Sequence, residues 1–146
     1  MKKTLLCLFL ALVCILSCFS LIACKDETAD PTETDLLWTD ATYKEDKTFG
    51  NGSKTVQVEV KAGDRSVTFT LKTDKTTLAD ALLEHQLVSG EDGAYGLYIK
   101  TVNGILADYD VDQTYWQLTK NGVDPMTGAS GVTVADGEHY ELTRKK

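Results

Sequence analysis

Thr55-Val56-Gln57-Val58-Glu59-Val60-Lys61-Ala62-Gly63-Asp64-Arg65-Ser66-Val67-Thr68-Phe69-Thr70-Leu71 is the stretch that decides the fold. Val56, Val58 and Val60 alternate with Gln57 and Glu59, and Val67, Phe69 and Leu71 alternate with Thr68 and Thr70. A period of two, rich in β-branched residues, belongs to strands with one buried face, and Gly63-Asp64 between the two runs supplies a tight turn. The spacing predicts a half-buried antiparallel hairpin.

Downstream the period changes. Thr77-Leu78-Ala79-Asp80 has the pattern of a capping box, in which the Thr77 hydroxyl and the Asp80 carboxylate satisfy free amides at a helix start. Leu78, Ala79, Leu82 and Leu83 follow at helical spacing, with Ser89-Gly90 as the stop. Residues 97–102, 115–120 and 139–143 read as strands, with turns at Asn103-Gly104 and Asn121-Gly122. A hairpin, a helix and further strands indicate an α+β domain, β-grasp-like, in which one helix packs across a face of a mixed sheet.

Upstream, Leu36-Leu37-Trp38 breaks the polar pattern, 39–47 is polar again, and Trp38 and Phe49 are expected to pack on an edge of the domain. Residues 24–35, acidic and without periodicity, read as a flexible tether, so the domain is expected over 36–146. Met1-Lys2-Lys3 opens an apolar run that ends in Leu21-Ile22-Ala23-Cys24. A positive start, a short apolar region and small residues before a cleavage point describe a secretory signal over 1–23. The cysteine after Ala23 makes it a lipoprotein signal, with Cys24 lipidated. The alternative is a transmembrane anchor, since 4–23 is long enough to span a bilayer. The expected location is the outer face of the cytoplasmic membrane, in a Gram-positive bacterium.

Charge and cysteine usage narrow the function. The formal net charge is -7, and removal of residues 1–23, which carry Lys2 and Lys3 and no acid, leaves -9. Nucleic acid is therefore not an expected partner, because phosphate backbones are bound by clustered Lys and Arg. Cys7, Cys14 and Cys18 lie in the signal, so a processed chain keeps only Cys24 and has no disulfide and no cysteine metal site.

Enzymatic chemistry finds little support. Asp108, Asp110 and Asp112 alternate as in a calcium loop, but the positions that need Gly and a bidentate Glu hold Gln113 and Thr119. A solvated acidic loop is the expectation. His85 and His139 fit no zinc spacing, and neither Gly-x-Ser-x-Gly nor Ser-x-x-Lys occurs. No enzyme, metal or cofactor is expected. Aromatics are dense in the C-terminal half. In Tyr115-Trp116-Gln117-Leu118, alternation puts Trp116 and Leu118 on one face and Tyr115 and Gln117 on the other, so at least one aromatic either fills a second small sheet or reaches a ligand.

Gly96-Leu97-Tyr98-Ile99-Lys100-Thr101-Val102-Asn103-Gly104, then Tyr115-Trp116-Gln117-Leu118, Pro125-Met126-Thr127-Gly128 and Asp136-Gly137-Glu138-His139, resembles the C-terminal domain of transcobalamin and intrinsic factor. That domain also recurs as an uncharacterised family in bacterial surface lipoproteins. The resemblance runs from about Val56 to the end. It implies a small β domain that closes over one face of cobalamin, but the helical barrel that holds the other face is missing, so a corrinoid would meet half a site. The binding residues it implies are Asn103, Tyr115, Trp116, Gln117, Pro125, Met126, Thr127 and Gly128. Trp116 and Met126 would cover a ring face, while Gln117 and Asn103 would bond amides. Against this stands the plainer reading, in which Trp116 is core and Asn103-Gly104 only a turn. The functional expectation is an extracellular lipid-anchored domain that binds a corrinoid such as cobalamin. The alternative is a protein-interaction or adhesion module that meets a cell-surface partner and takes no small molecule.

Overall fold

The structure, a computed structural model, describes residues 32–146. The signal over 1–23, Cys24 and the tether up to residue 31 lie outside the described residues. The predicted hairpin is present as β2 (Lys54–Ala62) and β3 (Arg65–Thr73), antiparallel with Ala62 opposite Arg65. Gly63 takes φ 65°, the left-handed value asked of the first position of so tight a turn. Val56, Val58, Val60, Val67, Phe69 and Leu71 all point into the core.

The hairpin is the middle of a five-stranded mixed sheet. Its order is β1 (Lys47–Gly50), β3, β2, β8 (His139–Lys145), β7 (Tyr115–Lys120). β1 runs parallel to β3 and β8 parallel to β2, whereas β7 is antiparallel to β8. A second, antiparallel sheet contains β4 (Val88–Gly93), β5 (Gly96–Val102) and β6 (Ile105–Leu106). The domain is α+β.

Three helices accompany the sheets among the described residues. In α1 (Glu33–Thr39), Thr32 and Asp35 form a capping box, so regular structure begins inside the stretch that the sequence reads as tether. Its reason is Trp38, which is 1% exposed and donates its indole N–H to the Ala62 carbonyl at 2.9 Å. Trp38 is thus core, while Phe49 is half-buried and packs edge-on against Tyr43 and Phe69.

α2 (Leu78–Glu84) starts at the expected cap, with the Asp80 amide donating to Thr77 Oγ1 at 3.2 Å. It stops earlier than Ser89-Gly90. Gln86 adopts φ 55°, the chain turns there, and Ser89 and Gly90 belong to β4. The buried helix face is Leu78, Ala79, Ala81 and Leu82, and Leu83 looks outward instead. His85 closes the helix and stacks on Phe49, with ring centroids 5.5 Å apart.

The acidic run is not an open loop. Asp108 caps the single turn α3 (Tyr109–Asp112) through the Asp110 amide, and Asp112 pairs with Arg144 at 2.8 Å. The Thr114 hydroxyl and amide beside Asp112, with Arg144, hold its carboxyl below the usual range despite partial desolvation.

Leu82 is fully enclosed, so Leu82→Ala is expected to cost about 2–5 kcal/mol through lost burial and the cavity left behind. Denaturant unfolding monitored by circular dichroism measures this, and an unchanged midpoint would place the core elsewhere.

Candidate functional site

β7 is the outermost strand of the large sheet, paired with β8 alone. In an antiparallel ladder, hydrogen-bonded and non-bonded pairs alternate, so the register tells which backbone groups face outward. The Asn121 amide donates to the His139 carbonyl at 3.1 Å, which makes that pair a bonded one. Counting back by twos, Thr119, Gln117 and Tyr115 bond to β8. Lys120, Leu118 and Trp116 turn their N–H and C=O groups to the free edge. Lys120 uses its outward groups on Val123, at 2.8 and 3.0 Å across the Asn121-Gly122 turn. No such bond is found for Trp116 or Leu118 among the described residues.

Along that edge lies an open, largely apolar trough of about 680 Å³. Its lining on the β7 side is Tyr115, Trp116, Gln117 and Leu118, and on the other side Tyr95 with Asp124, Met126, Thr127 and Gly128. Four consecutive strand residues include both parities, so the trough follows the strand's edge rather than one of its faces. Trp116 is 8% exposed and its indole Nε1 is buried with no acceptor. An unpaired buried donor costs about 1–3 kcal/mol, which Trp38 avoids through Ala62.

The far wall is held by short local bonds. Met126 sits at φ 59°, with its amide donating to Asp124 Oδ1 at 2.7 Å, and its side chain is 90% exposed. Tyr95, 92% exposed, precedes Gly96, which takes φ 94° with Ser130 so close that a Cβ would fall 2.5 Å from the Ser130 Cβ. The Leu97 amide donates to Ser130 Oγ at 3.0 Å, tying the Tyr95 turn to the segment after Gly128. Behind β7, Glu138 accepts from Lys120 Nζ, Tyr140 Oη and the Ala135 amide. Burial alone would raise the Glu138 carboxyl, but these donors outweigh it and hold it below the usual range. The Tyr140 phenol is pushed up by burial and by the facing carboxylate.

Of the residues singled out by sequence, Tyr115, Trp116, Gln117, Met126, Thr127 and Gly128 come together in the trough. Two do not. Asn103 is 1% exposed and clamps the Tyr43 backbone, accepting from its amide at 2.9 Å and donating to its carbonyl at 2.7 Å, in a left-handed conformation at φ 51°. With oxygen and nitrogen both occupied inside the core, it has nothing to offer a ligand. Pro125 belongs to the loop but does not line the trough. Sequence reasoning missed Tyr95, Leu118 and Asp124. Leu118 was legible from its alternation with Trp116, whereas Tyr95 arrives from the other sheet and carries no local signal.

Residues 75–143 match the model of a domain of unknown function, DUF4430. No curated protein matches the chain. Among solved structures, a protein from Ruminococcus gnavus ATCC 29149, provisionally described as metal binding, is 40% identical with a TM-score of 0.61, over 64% of this chain and 98% of its own. Haptocorrin in complex with Cbi is 24% identical with a TM-score of 0.49, over 67% of this chain. This chain spans 26% of that one, too distant a likeness to carry a ligand across.

Asn103→Ala is expected to destabilise the fold by about 2–4 kcal/mol, from two lost bonds and a strained backbone. Trp116→Phe removes a donor that has no acceptor and is expected to cost under about 1.5 kcal/mol, whereas Trp38→Phe strands the Ala62 carbonyl and costs more. Urea midpoints of the three variants check this order.

Proposed function

This chain belongs to the DUF4430 family, and from that and the trough we propose that it is a non-enzymatic ligand-binding domain, anchored by lipid outside the cytoplasmic membrane, with a corrinoid as the candidate ligand. The observation that carries the reading is the convergence of Tyr115 to Leu118 with Tyr95 and Met126 to Gly128 on one open trough. Aromatic and thioether groups suit the face of a flat ring, and Gln117 and Thr127 suit amides at its fringe. The sequence resemblance to the transcobalamin C-terminal domain includes Tyr115 to Leu118 and Met126 to Gly128 of this lining. Metal capture is less well supported. Among the described residues no group of three or more His, Cys, Asp or Glu is placed to hold an ion.

An open trough buries one face of a ring and leaves the other in water, so affinity is expected in the micromolar range or weaker, at about -8 kcal/mol or less favourable. Calorimetry with cobalamin and cobinamide tests this. Met126→Glu, at an exposed position, is expected to weaken binding with an unchanged melting temperature. Absence of binding by the parent protein at high micromolar concentration, or equal binding by the variant, overturns the corrinoid reading.

Anchoring rests on Ala23-Cys24 after the apolar run. Stable hold by lipid takes at least two acyl chains, and Cys24 is the thiol placed to receive them. Cys24→Ser is expected to abolish metabolic labelling with palmitate, and persistent labelling would overturn the anchor.

A second reading, the protein-interaction module, is favoured by a specific observation, the unpaired outer edge of β7.

A further inference from the structure

We propose that the free edge of β7 receives an extended, basic peptide segment of a partner protein, which pairs antiparallel with Trp116 and Leu118 as a sixth strand of the large sheet. The inference rests on the interaction reading and gives its partner a chemistry.

The edge is vacant because the chain itself is kept from filling it. Val123 makes the first rung opposite Lys120, in line for a return strand that would next meet Leu118 and Trp116. Asp124 precedes a proline, Pro125 has no N–H to give a ladder, and Met126 at φ 59° leads the backbone away. One rung is made and the rest of the ladder stays open. Two N–H and two C=O groups, on Trp116 and Leu118, remain in the alternating order that a strand complements.

The charged residue of β7, Lys120, is held by Glu138 at the end that Val123 already fills, so it lies outside the open part of the edge. Edges are ordinarily blunted by lysine, proline or a bulge. The run Tyr115-Trp116-Gln117-Leu118-Thr119 has no charge and no proline, and its register with β8 is unbroken. β1 at the opposite edge is short and begins with Lys47. The trough is walled by Tyr95 and residues 126–128 on its other side. That leaves room for one extended chain and obstructs the flush approach of a second copy's sheet. Over the four lining residues of β7 the contact is about 13 Å long at the rise of a strand. Charge selects the partner's sign. The charged residue of the lining is Asp124, and the whole chain carries -7.

The probe is a fluorescein-labelled peptide, acetyl-KVTVTVK-amide, titrated with the full chain and followed by polarisation. Saturable binding in the micromolar range is expected. The same peptide N-methylated through its VTVTV core keeps the side chains but loses the main-chain donors, and is expected to bind at least tenfold more weakly. Leu118→Pro removes an outward N–H and no bond to β8, so it is expected to keep the folded circular dichroism spectrum and lose the peptide. Gln117→Pro breaks the β8 ladder and is expected to unfold β7. No binding at millimolar protein, equal binding of the N-methylated peptide, or equal tolerance of both prolines with peptide binding intact overturns the proposal. Cobinamide binding without peptide binding overturns the strand proposal alone and leaves the small-molecule reading standing. Concentration-dependent dimerisation abolished by Leu118→Pro, with no peptide bound, assigns the edge to a second copy and likewise overturns it.

Discussion

The insertion of β8 between β2 and β7 is the constraint on which the rest of the structure depends. The last strand of the chain runs parallel to β2 and antiparallel to β7, so the hairpin formed early in the sequence and the strand that borders the trough are joined only through it. Tyr140 and Leu142 of β8 are fully buried between them. A parallel pair cannot be closed by a tight turn, so everything between β3 and β8 is in effect one long crossover. Helix α2, the small sheet, α3 and β7 all lie within it.

Fixing β8 also fixes what β7 presents. Once the inward groups of Tyr115, Gln117 and Thr119 are bonded to β8, those of Trp116 and Leu118 must face out. The trough is therefore a consequence of register. Polar side chains consolidate the geometry from behind, where Glu138 gathers Lys120, Tyr140 and the Ala135 amide into one cluster. The same economy of local bonds shapes the far wall, through Asp124 to Met126 and Ser130 to Leu97. These bonds fix the backbone of the far wall, while the Tyr95 and Met126 side chains stand exposed above it.

The hairpin, the helix start at Thr77, the strand 115–120 and the Asn121-Gly122 turn were legible because each is encoded by neighbours in sequence: alternation, a capping box, an Asn-Gly pair. α1 was not, because seven residues in an acidic segment carry too weak a period, and it is held by one long-range bond from Trp38 to Ala62. β1 was not, because a four-residue strand gains its identity from β3. Asn103 misled for a physical reason. An Asn-Gly turn has the same sequence whether its amide side chain faces solvent or, as here, clamps Tyr43 sixty residues away in the core.

By itself the sequence determined the α+β class, the half-buried hairpin, the acidic charge that disfavours nucleic acid, and most of the residues that line the trough. These depend on periods of two and near four and on composition, which neighbouring residues carry. Only the tertiary structure decided that Tyr95, from the turn of the second sheet, lines the same trough as Met126 from the loop. It alone removed Asn103 from the candidate site and left the edge of β7 without a strand. Alternation says which face of a strand is buried and a tight turn sets the register of its hairpin, but neither says which distant strand will lie alongside.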